Sequence, residues 1–360
     1  MDTETDWTTL PLREFRPEPA LRTAAHRVES AGAPAIDVHN HLGLRRGAGG
    51  GQDGAWAVRD VGALLQLMDE CNVEAIVNLD GNWGETLEAN LNRYDRAHPG
   101  RFATFCRLDW RECTRPGWPG RLAESLRKSA SQGAAGLKVW KDVGLHVRDE
   151  SGNLVLCDDA RLTPVWEAAA ELRLPVLIHT ADPLAFFEPL SERNERLEEL
   201  LEHPDWRFAD AKFPRMDTLL EALERVVQRN PDVTFIGAHV GCFAEDLGWV
   251  GRMFDRYRNF YADVAARIAE LGRQPRATRQ LLHRHPTRVM LGTDVSPPTK
   301  AAYAIYFRFF ETADEHFPYS TEKPPGSGRW AISGVDLDGI GLANLYAENA
   351  RRVIPALRAS

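Results

Sequence analysis

Ala35-Ile36-Asp37-Val38-His39-Asn40-His41 is the stretch whose reading decides the fold. Its first half has the β-branched, apolar make-up of a strand. Its end carries His39 and His41 at i and i+2, which a strand turns to the same side. Seven further runs of strand length follow it: Glu74–Leu79, Phe102–Leu108, Ala135–Trp140, Leu174–His179, Val233–His239, Phe260–Val264 and Arg288–Leu291. Between them lie stretches with 3.6-residue periodicity, among them Val61–Cys71, Arg121–Ser131, Leu162–Leu172, Met216–Arg229 and Arg276–His283. Strands and helices therefore alternate, mostly about 30–40 residues apart, eight times over.

The strands are apolar throughout rather than alternating, as in VLIH, TFIGAH and RVMLG. Strands of a parallel sheet covered by helices read that way. The pattern predicts an α/β fold, a (β/α)8 TIM barrel, over residues 35–360. The runner-up is an open doubly wound sheet, but no G-x-G-x-x-G follows any strand. Residues 1–34 are polar and dotted with proline, and read as an N-terminal extension with a short helix around Leu21–Glu29. Two stretches interrupt the rhythm: Asp182–Pro214 after strand five, and Phe317–Asp338 beyond strand eight. Connections this long often shape binding sites. Leu342–Arg358 reads as a closing amphipathic helix.

Composition narrows the function. The 360 residues carry a formal charge of −8, which disfavours a nucleic-acid partner. No apolar run is long enough to span a membrane, and the acidic start shows no signal peptide. Five scattered cysteines, none spaced C-x-x-C, point to a reduced, cytoplasmic compartment and away from a cysteine zinc site.

The ionisable residues gather at strand ends. His39 and His41 end strand one, His179 strand five and His239 strand six, while Asp294 follows strand eight. In a barrel these ends share one rim, where active sites lie. Three imidazoles and one carboxylate form a donor set suited to one divalent metal, Zn²⁺ first and Fe²⁺ or Mn²⁺ after it, leaving a fourth imidazole for chemistry. Taken singly, each histidine reads as a satisfied core residue; it is their joint position that argues for a metal. His283-Arg284-His285 is a control: it has the same spacing but closes a helix, where it reads as a solvated end. Lys138, inside strand four, is costly to bury. It reads as an internal ion pair, a substrate ligand, or a carboxylated bridge to a second metal. Trp83, Arg107, Trp140 and Arg267 follow other strands and suit a planar, anionic small molecule. The plainer reading of the tryptophans is packing.

With these residues in place the chain resembles the amidohydrolase superfamily, in particular its "amidohydrolase 2" branch, related to aminocarboxymuconate-semialdehyde decarboxylase. The resemblance rests on His39-x-His41, His179 in LIHTADP, His239 in IGAHVG, Asp294 in LGTD and the terminal YAENARR, and runs from about Ala35 to Pro355. It implies that His39, His41, His179 and Asp294 ligate the metal. It also implies that His239 and Asp294 are the catalytic acid/base groups, with Asp294 in either part. The first function it implies is hydrolysis of a small carboxylated or phenolic amide, ester or lactone. The alternative is non-oxidative decarboxylation of a small aromatic or unsaturated acid, and a barrel that only binds is a third reading. Relatives are often oligomers, so a homo-oligomer is a further expectation.

Overall fold

The structure, a computed structural model, describes residues 6–46 and 52–358. Its barrel strands are β1 (Ala35–Asn40), β2 (Val73–Asn78), β3 (Phe102–Cys106), β4 (Gly136–Val139), β5 (Val176–Ile178), β6 (Phe235–Gly237), β7 (Phe260–Asp263) and β8 (Val289–Met290). Each overlaps the run expected from sequence. They are neighbours in chain order, and every pair is parallel. A barrel differs from an open sheet in whether its first and last strands meet. Here they do: Val38 N–H donates to the Leu291 carbonyl at 2.9 Å, and Asp294 N–H to the His39 carbonyl at 2.8 Å. The doubly wound alternative falls on those two bonds.

Two apolar layers explain why the strands lack alternation. Ile36, Val38, Val77, Phe105, Leu177 and Ile236 form one buried cluster that also takes in Ala350, Val353, Ile354 and Leu357 from the C-terminal end of the chain. Their neighbours Ala35, Ile76, Cys106, Val176 and Phe235 belong to a second cluster shared with the helices. Both faces of each strand are dry. The helices follow the same logic. Met216–Arg229 buries Met216, Leu219, Leu220, Leu223, Val226 and Val227, one stripe at helical spacing. Trp118–Gln132 stops at Gly133, whose φ of +116° suits glycine alone.

The closing helix is present but lies further upstream than expected. Residues Gly339–Val353 are helical, with one wide π turn over Asn344–Glu348. The expected helix at Leu21–Glu29 is absent: the segment has no regular secondary structure. It is tied down by side-chain bonds instead, because His26 donates from its backbone and from Nδ1 to the Asp314 carboxylate at 2.7 and 2.6 Å. At the control motif His283 is exposed, as expected, but His285 is buried against Phe254. The connection after β5 folds on itself into a satellite core of Phe186, Leu200, Phe208, Met216 and Leu219. Among the described residues no helix is long and apolar enough to cross a membrane.

Candidate metal centre

The C-terminal rim brings the expected residues together. His39 ends β1, with Nε2 3.9 Å from Asp294 Oδ1; His41 Nε2 lies 3.4 Å from the same oxygen. His239 follows β6, with Nε2 3.9 Å from Asp294 Oδ2. The His179 ring, just past β5, lies 4.4 Å from that of His239, and the His39 ring 4.7 Å from it. The tightest group of donor atoms, all within 4.8 Å of one another, is His39, His239 and Asp294. His41 adjoins it through Asp294. The imidazole reserved for chemistry in the sequence reading thus sits inside the triangle, while His179 lies beside it.

Each imidazole has one nitrogen committed. His39 Nδ1 faces Asp263 Oδ2 at 2.8 Å, His41 Nδ1 faces Asp80 Oδ1 at 2.8 Å, and His239 Nδ1 faces the Ala265 carbonyl at 2.8 Å. His179 is held by its other nitrogen, with Nε2 3.1 Å from the Ala181 carbonyl and 3.2 Å from Asp182 Oδ1. Tying one ring nitrogen fixes the tautomer and leaves the other's lone pair free, as metal-binding histidines require. Burial keeps His39 and His239 neutral, well below the ordinary histidine range, and lowers His179 to about 4. Burial also pushes Asp294 up.

The backbone is strained at this rim. His239 and Val240 are left-handed, with φ of 57° and 62°, and so are Cys242 at 65° and Asp294 at 58°. A β-branched valine there is a rare outlier. Glycines on either side allow the coil: a Cβ on Gly237 would meet Gly241 Cα at 2.8 Å.

Two buried carboxylates and one half-buried carboxylate hold the site from behind. Asp37 Oδ1 accepts the Thr293 and His39 N–H groups at 3.0 and 3.1 Å; its Oδ2 accepts the Thr293 hydroxyl at 2.6 Å and the Tyr303 hydroxyl at 3.1 Å. It thereby pins the residue before Asp294 to β1. Asp263 Oδ1 accepts the His239 and Ala265 N–H groups at 2.9 and 3.0 Å, while Oδ2 serves His39. Burial raises Asp37 and Asp263 to about 6. Asp80, just past β2 and bonded to His41 Nδ1, is the third. The sequence reading missed the roles of Asp37 and Asp263, although both carried a signal. Asp37 shares its strand face with His39, and Asp263 ends β7 as Asp294 follows β8.

Lys138 is 1% exposed, with Nζ 3.4 Å from His39 Nε2. Burial brings its ammonium down to about 8, against the pull of Asp294 and Asp263. A cleft of about 1020 Å³ opens beside this cluster, lined by His41, Asp80, Trp83, Arg107, Trp140 and other residues. Arg107 lies over the Trp140 ring at 4.5 Å. Arg267 is buried and donates to the Ala266 carbonyl; it does not line this cleft.

A model of the amidohydrolase family matches residues 36–355. The chain belongs to that family. The match spans the whole barrel, from the second residue of β1 to the closing segment. Among curated proteins none matches the chain. Solved structures share the amidohydrolase fold. One is 2,6-dihydroxybenzoate decarboxylase complexed with 2,6-dihydroxybenzoate, at 14% identity and a TM-score of 0.58, covering 90% of this chain and 99% of that one. The same enzyme from Rhizobium gives 14% and 0.57, covering 90% and 99%. Dihydroxybenzoic acid decarboxylase from Polaromonas sp., with bound manganese and the inhibitor 2-nitroresorcinol, gives 14% and 0.58, covering 91% and 98%.

Proposed function

We propose that this amidohydrolase is a metal-dependent, non-oxidative decarboxylase of an aromatic carboxylic acid. That reverses the order of the sequence reading, which put hydrolysis first. The observation that carries the proposal is the join between donor cluster and cleft. His41 packs edge-on to Trp140 at 5.2 Å, and Trp140 in turn carries the Arg107 guanidinium. A planar anion can lie on that indole with its carboxylate beside the cluster. The decarboxylases that share the fold support the same reading.

The donor set fits one divalent ion. Neutral imidazoles and a carboxylate suit Zn²⁺ or Mn²⁺, and each ring is already oriented by its second nitrogen. We assign His39, His239 and Asp294 to the ion, with His41 and His179 completing its surroundings. Bound there, the ion would supply a Lewis acid for the substrate carboxylate and a neighbouring oxygen. The rest falls to the chain. Lys138 and Arg107 offset the substrate's negative charge. Asp294, whose carboxyl is pushed up by burial, relays a proton to the ring carbon that bears the carboxylate. The carbon–carboxylate bond then breaks, its electron pair returns to the ring, and carbon dioxide leaves.

The test is to load the protein with Zn²⁺ or Mn²⁺ and offer it hydroxylated aromatic acids in D2O. We expect carbon dioxide release and one deuterium at the vacated carbon. No carbon dioxide from any of these acids, together with hydrolysis of the corresponding esters or lactones by the same loaded protein, would return the assignment to a hydrolase.

A further inference from the structure

The cleft is far larger than a one-ring acid needs. At about 1020 Å³ it lies at the upper end of the roughly 300–1,000 Å³ that encloses a drug-sized ligand. It runs to one side only: its lining comes from the segments after β1 to β4 and from Ser296, and includes none of His179, His239 or Arg267.

The aromatic residues along this cleft divide into two kinds. Trp110 packs against the main apolar core, so packing accounts for it. Trp83 and Trp140 belong to no apolar cluster among the described residues. Each is half-buried, each lines the cleft, and each is accompanied by a guanidinium: Arg107 at 4.5 Å from the Trp140 ring, Arg111 at 6.0 Å from the Trp83 ring. The inner pair touches the donor cluster through His41. The outer pair lies farther along, with the Arg107 N–H bonded to the Asn82 carbonyl, next to Trp83.

Arg107 strengthens the case for a ligand. It is 7% exposed, yet among the described residues its guanidinium makes no hydrogen bond; its charged neighbour, Asp80 Oδ1, is 4.0 Å away and already engaged by His41. A buried guanidinium that lines a cavity without an acceptor is a ready anion ligand.

We propose that the substrate is an extended, two-ring aromatic acid. Its carboxylate-bearing ring lies against Trp140 with the carboxylate beside Arg107, and its second ring lies on Trp83. This rests on the decarboxylase reading for the orientation of the head group, and adds a second aromatic subsite.

The test is binding, read by quenching of tryptophan fluorescence and by calorimetry, with 2-hydroxybenzoate and 4-phenyl-2-hydroxybenzoate as probes. The two-ring probe binds at least tenfold more tightly to the wild-type protein. Trp83→Ala brings the ratio of the two affinities close to one, and Trp83→Phe restores most of it. Because Trp83 precedes the helix Gly84–Leu91, circular dichroism of both variants checks that the barrel is intact. Equal affinities in the wild-type protein, or a ratio that survives Trp83→Ala in a folded protein, overturn the proposal. Carbon dioxide release is scored separately. Tight two-ring binding without it upholds the subsite and removes only the decarboxylase reading, whereas release with equal affinities removes only the subsite.

Discussion

Asp263→Asn separates holding a histidine in place from merely filling space. The substitution is isosteric. The side-chain oxygen can keep accepting the His239 and Ala265 N–H groups, so the β6–β7 rim stays bonded. What changes is the atom facing His39 Nδ1, 2.8 Å away. A carboxylate oxygen accepts the Nδ1 proton; an amide NH2 can only donate. The imidazole must then shift its proton to Nε2, the nitrogen that faces Asp294 and Lys138. A protonated Nε2 has no lone pair for a metal. Losing an oriented partner of this kind typically costs about 10–100-fold in metal affinity, or roughly 1.4–2.8 kcal/mol at 1.4 kcal/mol per tenfold. The assay is competition for Zn²⁺ against a chromophoric chelator, with thermal unfolding of the metal-free protein as the control. We expect affinity to fall by that factor while the metal-free melting temperature moves little. A variant that holds Zn²⁺ within twofold of the wild-type protein would refute the tautomer argument and remove His39 from the proposed ligands.

Three further outcomes are expected. Stripping the protein with a chelator lowers its melting temperature, because an ion present at 100 times its dissociation constant stabilises the fold by about 2.7 kcal/mol; an unchanged melting curve would count against the centre. Ile354→Ala, at a fully buried position in the barrel cluster, costs about 2–5 kcal/mol in denaturant unfolding, and a loss below 1 kcal/mol would mean that the closing segment does not plug the barrel. The last concerns pH. Burial pushes the Asp314 carboxyl up, but bonds from His26 and Arg308 outweigh it and hold the group below its usual range. The tie to the N-terminal extension is therefore complete above the ordinary aspartate value of about 3.9 and is lost as pH falls through the lower, folded value. Acid-protease cleavage between residues 6 and 30 rises below about pH 4, and Asp314→Asn makes it pH-independent.

The barrel was legible because its determinants are local and repeated. Eight apolar runs, each dry on both faces, could be read without knowing which helix covers them. The donor residues were legible for the same reason: strand ends share a rim whatever the packing beneath. Arg267 looked equivalent to Arg107 in sequence, since both follow a strand. Of the two, Arg107 lines the cleft and Arg267 does not, a difference set by contacts between residues far apart in the chain. The extension's missing helix is a similar case. At Leu21–Glu29 two bonds from His26 to a carboxylate 288 positions away hold an irregular path instead of the helix.

The roles of His179 and His239 are the hardest to separate from sequence, and the reason is the backbone. Strand-end logic assigns them the same depth and direction. The left-handed coil over His239, Val240 and Cys242 breaks that equivalence. Non-glycine residues pay roughly 1–2 kcal/mol each to enter this region, so the coil persists only because its surroundings enforce it. Those surroundings are visible: Asp263 takes the His239 N–H, Ala265 takes Nδ1, and the Thr180 N–H rests on Cys242 Sγ at 3.3 Å. The result turns His239 Nε2 toward Asp294, while the ring of His179 is held by its Nε2 at Asp182 instead. Strain of this kind gathers where geometry serves chemistry rather than stability. It is the physical ground for treating His239 as part of the donor triangle and not as one more core histidine.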